Sequence, residues 1–237
     1  KLWPYHEKAI RSCRNQIELA DGGFTVSSIL RDQISEWNPK ARNFSVIQNG
    51  YEDDSFNPKA KPLGIKDKLG LSGKMVVFVG ALGPWHGTDE LAEIAKVNPN
   101  INVVVAGGGY GRNLPKLRNL HHIGRLKRHE VPSLLIEADI GLAPYPNVDY
   151  GFSPLKIYEY MGCKLPVVAT LLPSVEEATQ GHALLVRPGQ MADAISKIIN
   201  NEKLLGELSD SAFKYASMER TWSKTIEKTL ELYKGLL

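Results

Sequence analysis

Residues 151–170 read Gly-Phe-Ser-Pro-Leu-Lys-Ile-Tyr-Glu-Tyr-Met-Gly-Cys-Lys-Leu-Pro-Val-Val-Ala-Thr. They predict one helix followed by one short strand. Ser153 before Pro154 reads as an N-cap and a first helical residue. Leu155, Tyr158 and Met161 then recur at helical spacing. Gly162 stops the helix near its C-cap, and Pro166 opens the apolar strand Val167-Val168-Ala169. Such a helix presents the free amides of Leu155 and Lys156, and its dipole favours an anion there. Lys156 adds a full positive charge. Glu159 follows one turn on, about the separation of a phosphate and a ribose hydroxyl along a nucleotide. Ser-Pro caps also open many helices that bind nothing, so the rest of the chain decides between a ligand role and a plain packing role.

The chain has 237 residues, enough for one large or two small domains and for a full core. It is 43% hydrophobic and 23% charged, the composition of a globular protein. A net charge of +3 does not argue for nucleic acid. The densest basic run, Arg125-Leu-Lys127-Arg128-His129, reads as a solvated loop and helix start. Cys13 and Cys163 stand far apart and make neither a disulfide framework nor a metal site. Free thiols suit a reducing cytoplasm. No apolar run has the length to span a bilayer. The sequence begins Lys-Leu-Trp-Pro, without a methionine, and the expectation is a later portion of something longer.

Residues 5–19 predict a helix with Ile10, Cys13 and Ile17 on one side, and Ala20–Gly23 breaks it. Phe24–Val26 is a short strand. Ser27 or Ser28 caps a second helix through Trp37, ended by Asn38-Pro39. Phe44–Ile47 is another strand, closed by Asn49-Gly50. Residues 51–64 are polar and proline-bearing and read as a linker. A regular alternation follows. Met75–Val79, Ile101–Val105, His121–Ile123, Ile140–Ala143, Val167–Ala169 and Ala183–Val186 are strands. Helices fall at 87–95, 114–117, 127–137 and 191–199, besides the one at 153–162. Continuous apolar runs are the pattern of strands buried on both faces. About six strands interleaved with helices imply a parallel, Rossmann-like sheet with right-handed crossovers. Residues 202–236 read as one or two amphipathic helices.

In such a sheet, ligands bind beyond the carboxyl ends of the strands. Those ends carry Gly80–Gly87, Gly107–Gly111, Gly124-Arg125 and Tyr145–Ser153, and this convergence favours the ligand role. The dinucleotide fingerprint fails, because Gly107-Gly-Gly-Tyr-Gly-Arg112 lacks the last glycine. There is no P-loop, no zincin spacing after His129-Glu130, and no nucleophile elbow.

Several stretches together resemble the C-terminal half of the retaining, nucleotide-sugar-dependent glycosyltransferases of the two-lobed GT-B fold, the "glycosyl transferases group 1" or family 4 type. They are Phe-Val-Gly80-Ala-Leu, Val-Val-Ala-Gly107-Gly-Gly, His122-Ile-Gly124, Ala138-Asp139-Ile-Gly-Leu-Ala-Pro144, Ser153-Pro-Leu-Lys-Ile-Tyr-Glu159-Tyr-Met, Pro166-Val-Val-Ala and Leu-Leu-Val-Arg187-Pro-Gly189. The resemblance implies an incomplete tail of the N-terminal lobe at 1–52, a linker and domain entry at 53–72, and a nucleotide-sugar-binding domain at 73–205. Helices at 206–237 cross back toward the N-terminal lobe, most of which is missing.

The resemblance also implies residue roles. Glu159 matches the second glutamate of the family's E-x7-E motif, which holds the donor ribose. The amides of Leu155 and Lys156 match the helix end that takes the diphosphate. Ile123–Leu126 match the loop lining the base pocket. Gly80, Gly107, Gly108, Gly124, Arg125, Gly151, Phe152 and Ser153 complete the expected donor contacts. Three departures stand out. Gly151 replaces the first glutamate, Ala81 replaces a usual arginine, and His86 replaces a usual lysine. The two missing cations normally neutralise the departing diphosphate. His86, if protonated, is expected to do part of that work, with Lys156 or Arg125 supplying the rest; Lys156 and His86 are the catalytic candidates. No metal and no cofactor are implied. The expected partner is the nucleotide sugar itself, with an acceptor glycan, lipid or small molecule left open. Any contact with the inner face of a membrane belongs to the missing lobe of a cytoplasmic protein. The expected activity is retaining glycosyl transfer, absent from this chain alone. The alternatives are a donor-binding or scaffold protein without turnover, and a sugar-nucleotide epimerase, whose acid and base carboxylates have no candidates.

Overall fold

The structure is a computed structural model and describes residues 6–38, 43–83, 85–109 and 114–236. Pro39, the expected stop of the second helix, and Gly111-Arg112 of the glycine-rich loop lie outside these.

The chain opens with α1 (His6–Leu19), β1 (Gly23–Thr25), α2 (Ser28–Trp37) and β2 (Phe44–Val46). β1 and β2 pair in parallel as a two-stranded sheet. Ser27 is the N-cap of α2, accepting from the Leu30 amide. Cys13, expected to face inward, is exposed. The elements beside it, α2 and β1–β2, frame a cavity of about 570 Å³ rather than packing onto it.

The main body follows as α3 (Ile65–Leu69), β3 (Met75–Ala81), α4 (Asp89–Val97), β4 (Asn102–Gly108) and β5 (Leu120–Gly124). A 3₁₀ turn at Arg128–Glu130 then leads into α5 (Val131–Leu135) and β6 (Ile140–Ala143). Next come α6 (Leu155–Gly162), β7 (Val167–Thr170), α7 (Pro173–Thr179), β8 (Leu184–Val186) and α8 (Met191–Ile198). The chain closes with α9 (Glu202–Glu219) and α10 (Trp222–Leu236).

The six strands from β3 onward form one parallel sheet in the order β5-β4-β3-β6-β7-β8, the doubly wound architecture the sequence predicts. Alternate residues of each strand enter two cores. Met75, Val77 and Val104 face one way, with Leu134, Tyr160 and Ala212. Val76, Phe78 and Val103 face the other, with Leu91 and Ile195. The strand order reverses its direction of winding between the parallel neighbours β3 and β6, so a cleft opens at their carboxyl ends.

Several local expectations are corrected. Residues 114–117 form no helix. Leu114 and Leu117 pack on the second core, and Asn119 donates to the carbonyls of Ala95, Asn98 and Ile101, so this short proline-bearing stretch runs along the sheet. The helix expected over 127–137 is shortened to the 3₁₀ turn plus α5. Helices α3 and α7 add to the elements the sequence predicts. The amides of Gly64 and Ile65 at the start of α3 are held by the Glu137 carboxylate, 73 and 72 residues away in sequence. The polar stretch 51–64 places Tyr51 and Phe56 in the core, where both are essentially inaccessible. Tyr51 also exchanges backbone hydrogen bonds with Arg220 and Trp222, which seats α10 against residues 48–51.

Candidate functional site

α6 is the element that builds the site. Six of its eight residues are buried, so the helix is held on nearly every side rather than by one stripe. The Tyr160 hydroxyl accepts from the Val79 amide at 2.8 Å and the Tyr160 ring lies against Gly141, locking α6 to β3 and β6. This leaves the first turn aimed into the switch-point cleft. Among the described residues, the amides of Leu155 and Lys156 have no hydrogen-bond partner.

Ser153 does not cap the helix. Its hydroxyl accepts from the Asn49 amide at 3.0 Å and pairs with the Tyr158 hydroxyl at 3.0 Å, and Tyr158 donates to Gln48. Asn49 also reaches the Ser153 carbonyl. A buried network thus ties residues 48–49 to the start of α6, and the helix amides stay open to a ligand.

Lys156 folds back over the end of β3. Its Nζ is buried without a hydrogen-bond partner among the described residues, 4.3 Å from the Phe78 ring centre and 5.5 Å from that of Tyr145. It adjoins Gly80. Burial lowers its pKa to about 7, and the nearby Glu159 charge only partly opposes this. Two aromatic faces favour a cation but do not replace hydration. A buried ammonium without a hydrogen-bond partner is a site that an anionic ligand would complete.

Glu159 lies one turn further on and is also buried. Burial raises its pKa, and Arg128 pulls it back down through a 2.6 Å hydrogen bond and its charge. Arg128, read from sequence as solvated, is exposed, and its guanidinium also rests over the Phe56 ring at 4.4 Å. Sequence reasoning missed this partner because Arg128 and Glu159 are 31 residues apart.

His86 corrects the expectation of a second cation. Its Nδ1 lies 2.7 Å from the Ala81 carbonyl, which can only accept, so Nδ1 carries the proton. Burial, followed by the Lys156 charge, lowers its pKa to about 4. The imidazole is neutral at pH 7.

Gly151 is forced. Its φ is +73°, and a Cβ there would stand 2.8 Å from Leu30 Cγ and 2.9 Å from Ser27 Oγ. No glutamate fits this backbone. The nearest carboxylate, Asp149, is committed: it accepts from the Ser174 amide at 2.6 Å, the Ser174 hydroxyl at 2.7 Å and the Gly151 amide at 2.9 Å.

The remaining expected residues divide between two hollows. Gly80, Gly107, Gly108 and Arg125 line one of about 230 Å³ at the ends of β3 and β4, with Gly80 and Gly107 paired in register. Gly124 turns the chain there with φ +75°. Phe152, Ser153, Leu155, Lys156 and His86 line the other, about 380 Å³, at the ends of β3 and β6. Lys156 Nζ stands at the seam between them. Among the described residues no cluster of histidine, cysteine and carboxylate side chains could hold a metal ion, and no helix is long and apolar enough to cross a membrane.

The six-stranded parallel sheet flanked by helices matches the C-terminal lobes of GT-B glycosyltransferases. The chain belongs to the glycosyl transferases group 1 family, which its residues 73–201 match, more than half of its length. TuaH of Bacillus subtilis (strain 168), named for a glycosyltransferase role in teichuronic acid biosynthesis, is 26% identical over 94% of this chain and 58% of its own length. The D-inositol 3-phosphate glycosyltransferase of Mycolicibacterium smegmatis is 24% identical over 84% of this chain and 49% of its own. The chain therefore spans between half and three-fifths of these relatives. Among solved structures, Anabaena Alr3699/HepE in complex with UDP-glucose superposes with a TM-score of 0.82 at 19% identity, over 99% of this chain and 70% of that one.

Proposed function

We propose that this chain carries the donor site of a glycosyltransferase and holds a nucleoside diphosphate sugar along the cleft. In this reading residues 73–205 are the nucleotide-sugar domain, entered through 53–72. Residues 206–237 return to the N-terminal-lobe tail at 1–52. The diphosphate sits on the Leu155 and Lys156 amides against Lys156 Nζ. The ribose diol meets Glu159, and the base lies by Gly107, Gly108, Gly124 and Arg125. The carrying observation is the buried, unpartnered Lys156 ammonium beside two open helix amides. The UDP-glucose complex of the Anabaena neighbour supports it.

Breaking the anomeric carbon–oxygen bond leaves an extra negative charge on the diphosphate. In this reading Lys156 and the α6 dipole stabilise that charge, and one such contact lowers the barrier by roughly 3 kcal/mol. Transfer proceeds with retention at the anomeric carbon, without a cofactor, to an acceptor glycan, lipid or small molecule.

Calorimetry with UDP and GDP, on wild type and Glu159→Ala, tests the donor site. A loss of affinity in the variant is expected; equal binding by both proteins sinks the ribose role. The anomer of the transferred or released sugar, read by NMR, tests retention. A second reading, donor binding without turnover, is favoured by the neutral His86 and by the absence of room for a carboxylate at Gly151. Donor hydrolysis or transfer refutes it.

A further inference from the structure

His86 has one ring nitrogen spent and one free. Nδ1 donates to the Ala81 carbonyl at 2.7 Å. The ring is wedged among Phe78, Trp85 and Tyr145, with ring centres 5.8, 6.3 and 6.2 Å away. This packing and the Ala81 bond fix its orientation. Nε2, on the far edge of the ring, makes no hydrogen bond among the described residues. Burial and the neighbouring Lys156 charge both disfavour the cation, so Nε2 carries a lone pair and can only accept.

His86 lines the 380 Å³ hollow at the ends of β3 and β6, together with Ser153 and Lys156. A donor on α6 runs in a fixed direction. Its ribose lies toward Glu159, C-terminal to the first turn, so its sugar lies on the opposite side of the diphosphate, in this hollow. Each sugar hydroxyl brings a proton that needs an acceptor. The acceptors near the hollow are mostly committed. Gly151 has no room for a carboxylate, and both Asp149 oxygens are taken by Ser174 and Gly151. The Ser153 hydroxyl already accepts from Asn49 and pairs with Tyr158. Lys156 can only donate, and a phenol such as that of Tyr145 donates as readily as it accepts. His86 Nε2 is the uncommitted group that can only accept.

We propose that His86 is a sugar-binding residue, whose Nε2 accepts a hydrogen bond from one hydroxyl of the donor sugar and so orients the sugar where no carboxylate can stand at position 151. The inference rests on the donor-site reading above and adds the group that holds the sugar. The histidine then serves as a neutral acceptor and not as the cation its place in the sequence suggests.

The experiment is calorimetry on the 237-residue chain, with UDP-glucose and GDP-mannose as probes and UDP and GDP as references. The readout is the affinity that the sugar adds over its own diphosphate. One such hydrogen bond is worth roughly three- to tenfold. His86→Leu is expected to lower the sugar's added affinity by that factor. His86→Gln, whose amide oxygen can accept in place of Nε2, is expected to keep most of it. Monodeoxy analogues of the probe sugar identify the hydroxyl. Removing the right one is expected to cost wild type the same factor and to cost His86→Leu nothing. Three results overturn the inference and leave the donor site standing: a sugar that adds no affinity, an equal loss of sugar nucleotide and bare diphosphate in His86→Leu, or deoxy penalties that are the same in both proteins. Failure of wild type to bind either diphosphate overturns both readings.

Discussion

Arg128 Nη1 donates to Glu159 Oε1 across 2.6 Å, and Glu159 is nearly inaccessible while Arg128 is about half exposed. The pair is therefore lopsided: the carboxylate bears most of the desolvation, and the guanidinium limits its cost. Removing the guanidinium leaves a buried charge without its partner. Arg128→Met is expected to lower stability by about 1–2 kcal/mol at pH 7, less than a fully buried pair because Arg128 keeps much of its hydration. The sign of the pH dependence follows from burial. Glu159 has a folded pKa raised above its unfolded 4.5, so the folded state holds the proton longer and ionisation costs stability as pH rises through that window. The loss in Arg128→Met is expected to be full at pH 7 and to fade as pH falls toward 4.5. Urea unfolding at pH 5 and pH 7.5 checks it; an equal loss at both would mean that Arg128 acts through its packing on Phe56.

Lys156 gives a second pH signature of opposite sign. Its folded pKa of about 7 lies below 10.5, so the unfolded chain binds the extra proton between those values and stability rises with pH across that window. Below pH 7 the cost of the buried ammonium is borne in full. Lys156→Met is expected to stabilise the protein at pH 6 by about 1–3 kcal/mol, with the gain vanishing near pH 10. The same lysine must be protonated to meet a diphosphate. Affinity for UDP-sugars is expected to fall by up to about tenfold per pH unit above 7 in wild type and to stay flat in Lys156→Arg. Calorimetry at pH 6.5, 7.5 and 8.5 reads both.

What the sequence made legible follows from how far apart partners lie. Met75–Val79 and Ile140–Ala143 are continuous apolar runs, and such runs specify buried parallel strands without outside help. The placement of Glu159 one turn into α6 is likewise a local consequence of one helix. What escaped depends on residues far away in the chain. The Ser153 hydroxyl, read as a cap, is claimed by Asn49, 104 residues earlier. Arg128 is solvated as the sequence suggests, but its partners Phe56 and Glu159 lie on other elements and leave no local signal. His86 looked like a spare cation because its type was visible and its burial was not. Helices α3 and α7 are five and seven residues long, too short for a 3.6-residue period to show.

Gly151 tests whether the family's missing carboxylate can be restored. A non-glycine residue at φ +73° costs about 1–3 kcal/mol from the backbone alone. A Cβ there also meets Leu30, Ser27 and Ile29 at 2.8–3.2 Å. Gly151→Ala and Gly151→Glu are both expected to lower stability by at least about 2 kcal/mol, and Gly151→Glu is expected to give no gain in donor affinity. Urea midpoints measure the first expectation and calorimetry with a UDP-sugar the second. A stable Gly151→Glu protein with tighter donor binding would show that the loop relaxes to admit the side chain.

Gly162, the last residue of α6, sets two magnitudes against each other. Alanine is favoured over glycine within a helix by about 1 kcal/mol, so Gly162→Ala is expected to stabilise on propensity alone. The Tyr51 ring, however, packs on Gly162, and an added Cβ would overlap it. Tyr51 cannot retreat, because its backbone is held by Arg220 and Trp222 and its ring is only 2% exposed. Overpacking of this kind costs typically about 1–3 kcal/mol, and more when the neighbour is pinned on both sides. Packing is expected to win, with a net loss of about 1–2 kcal/mol. The double variant isolates the cause. In a Tyr51→Ala background the ring is gone, and Gly162→Ala is expected to become neutral or stabilising, so the two substitutions couple strongly. A cycle that closes additively would place the cost elsewhere on α6.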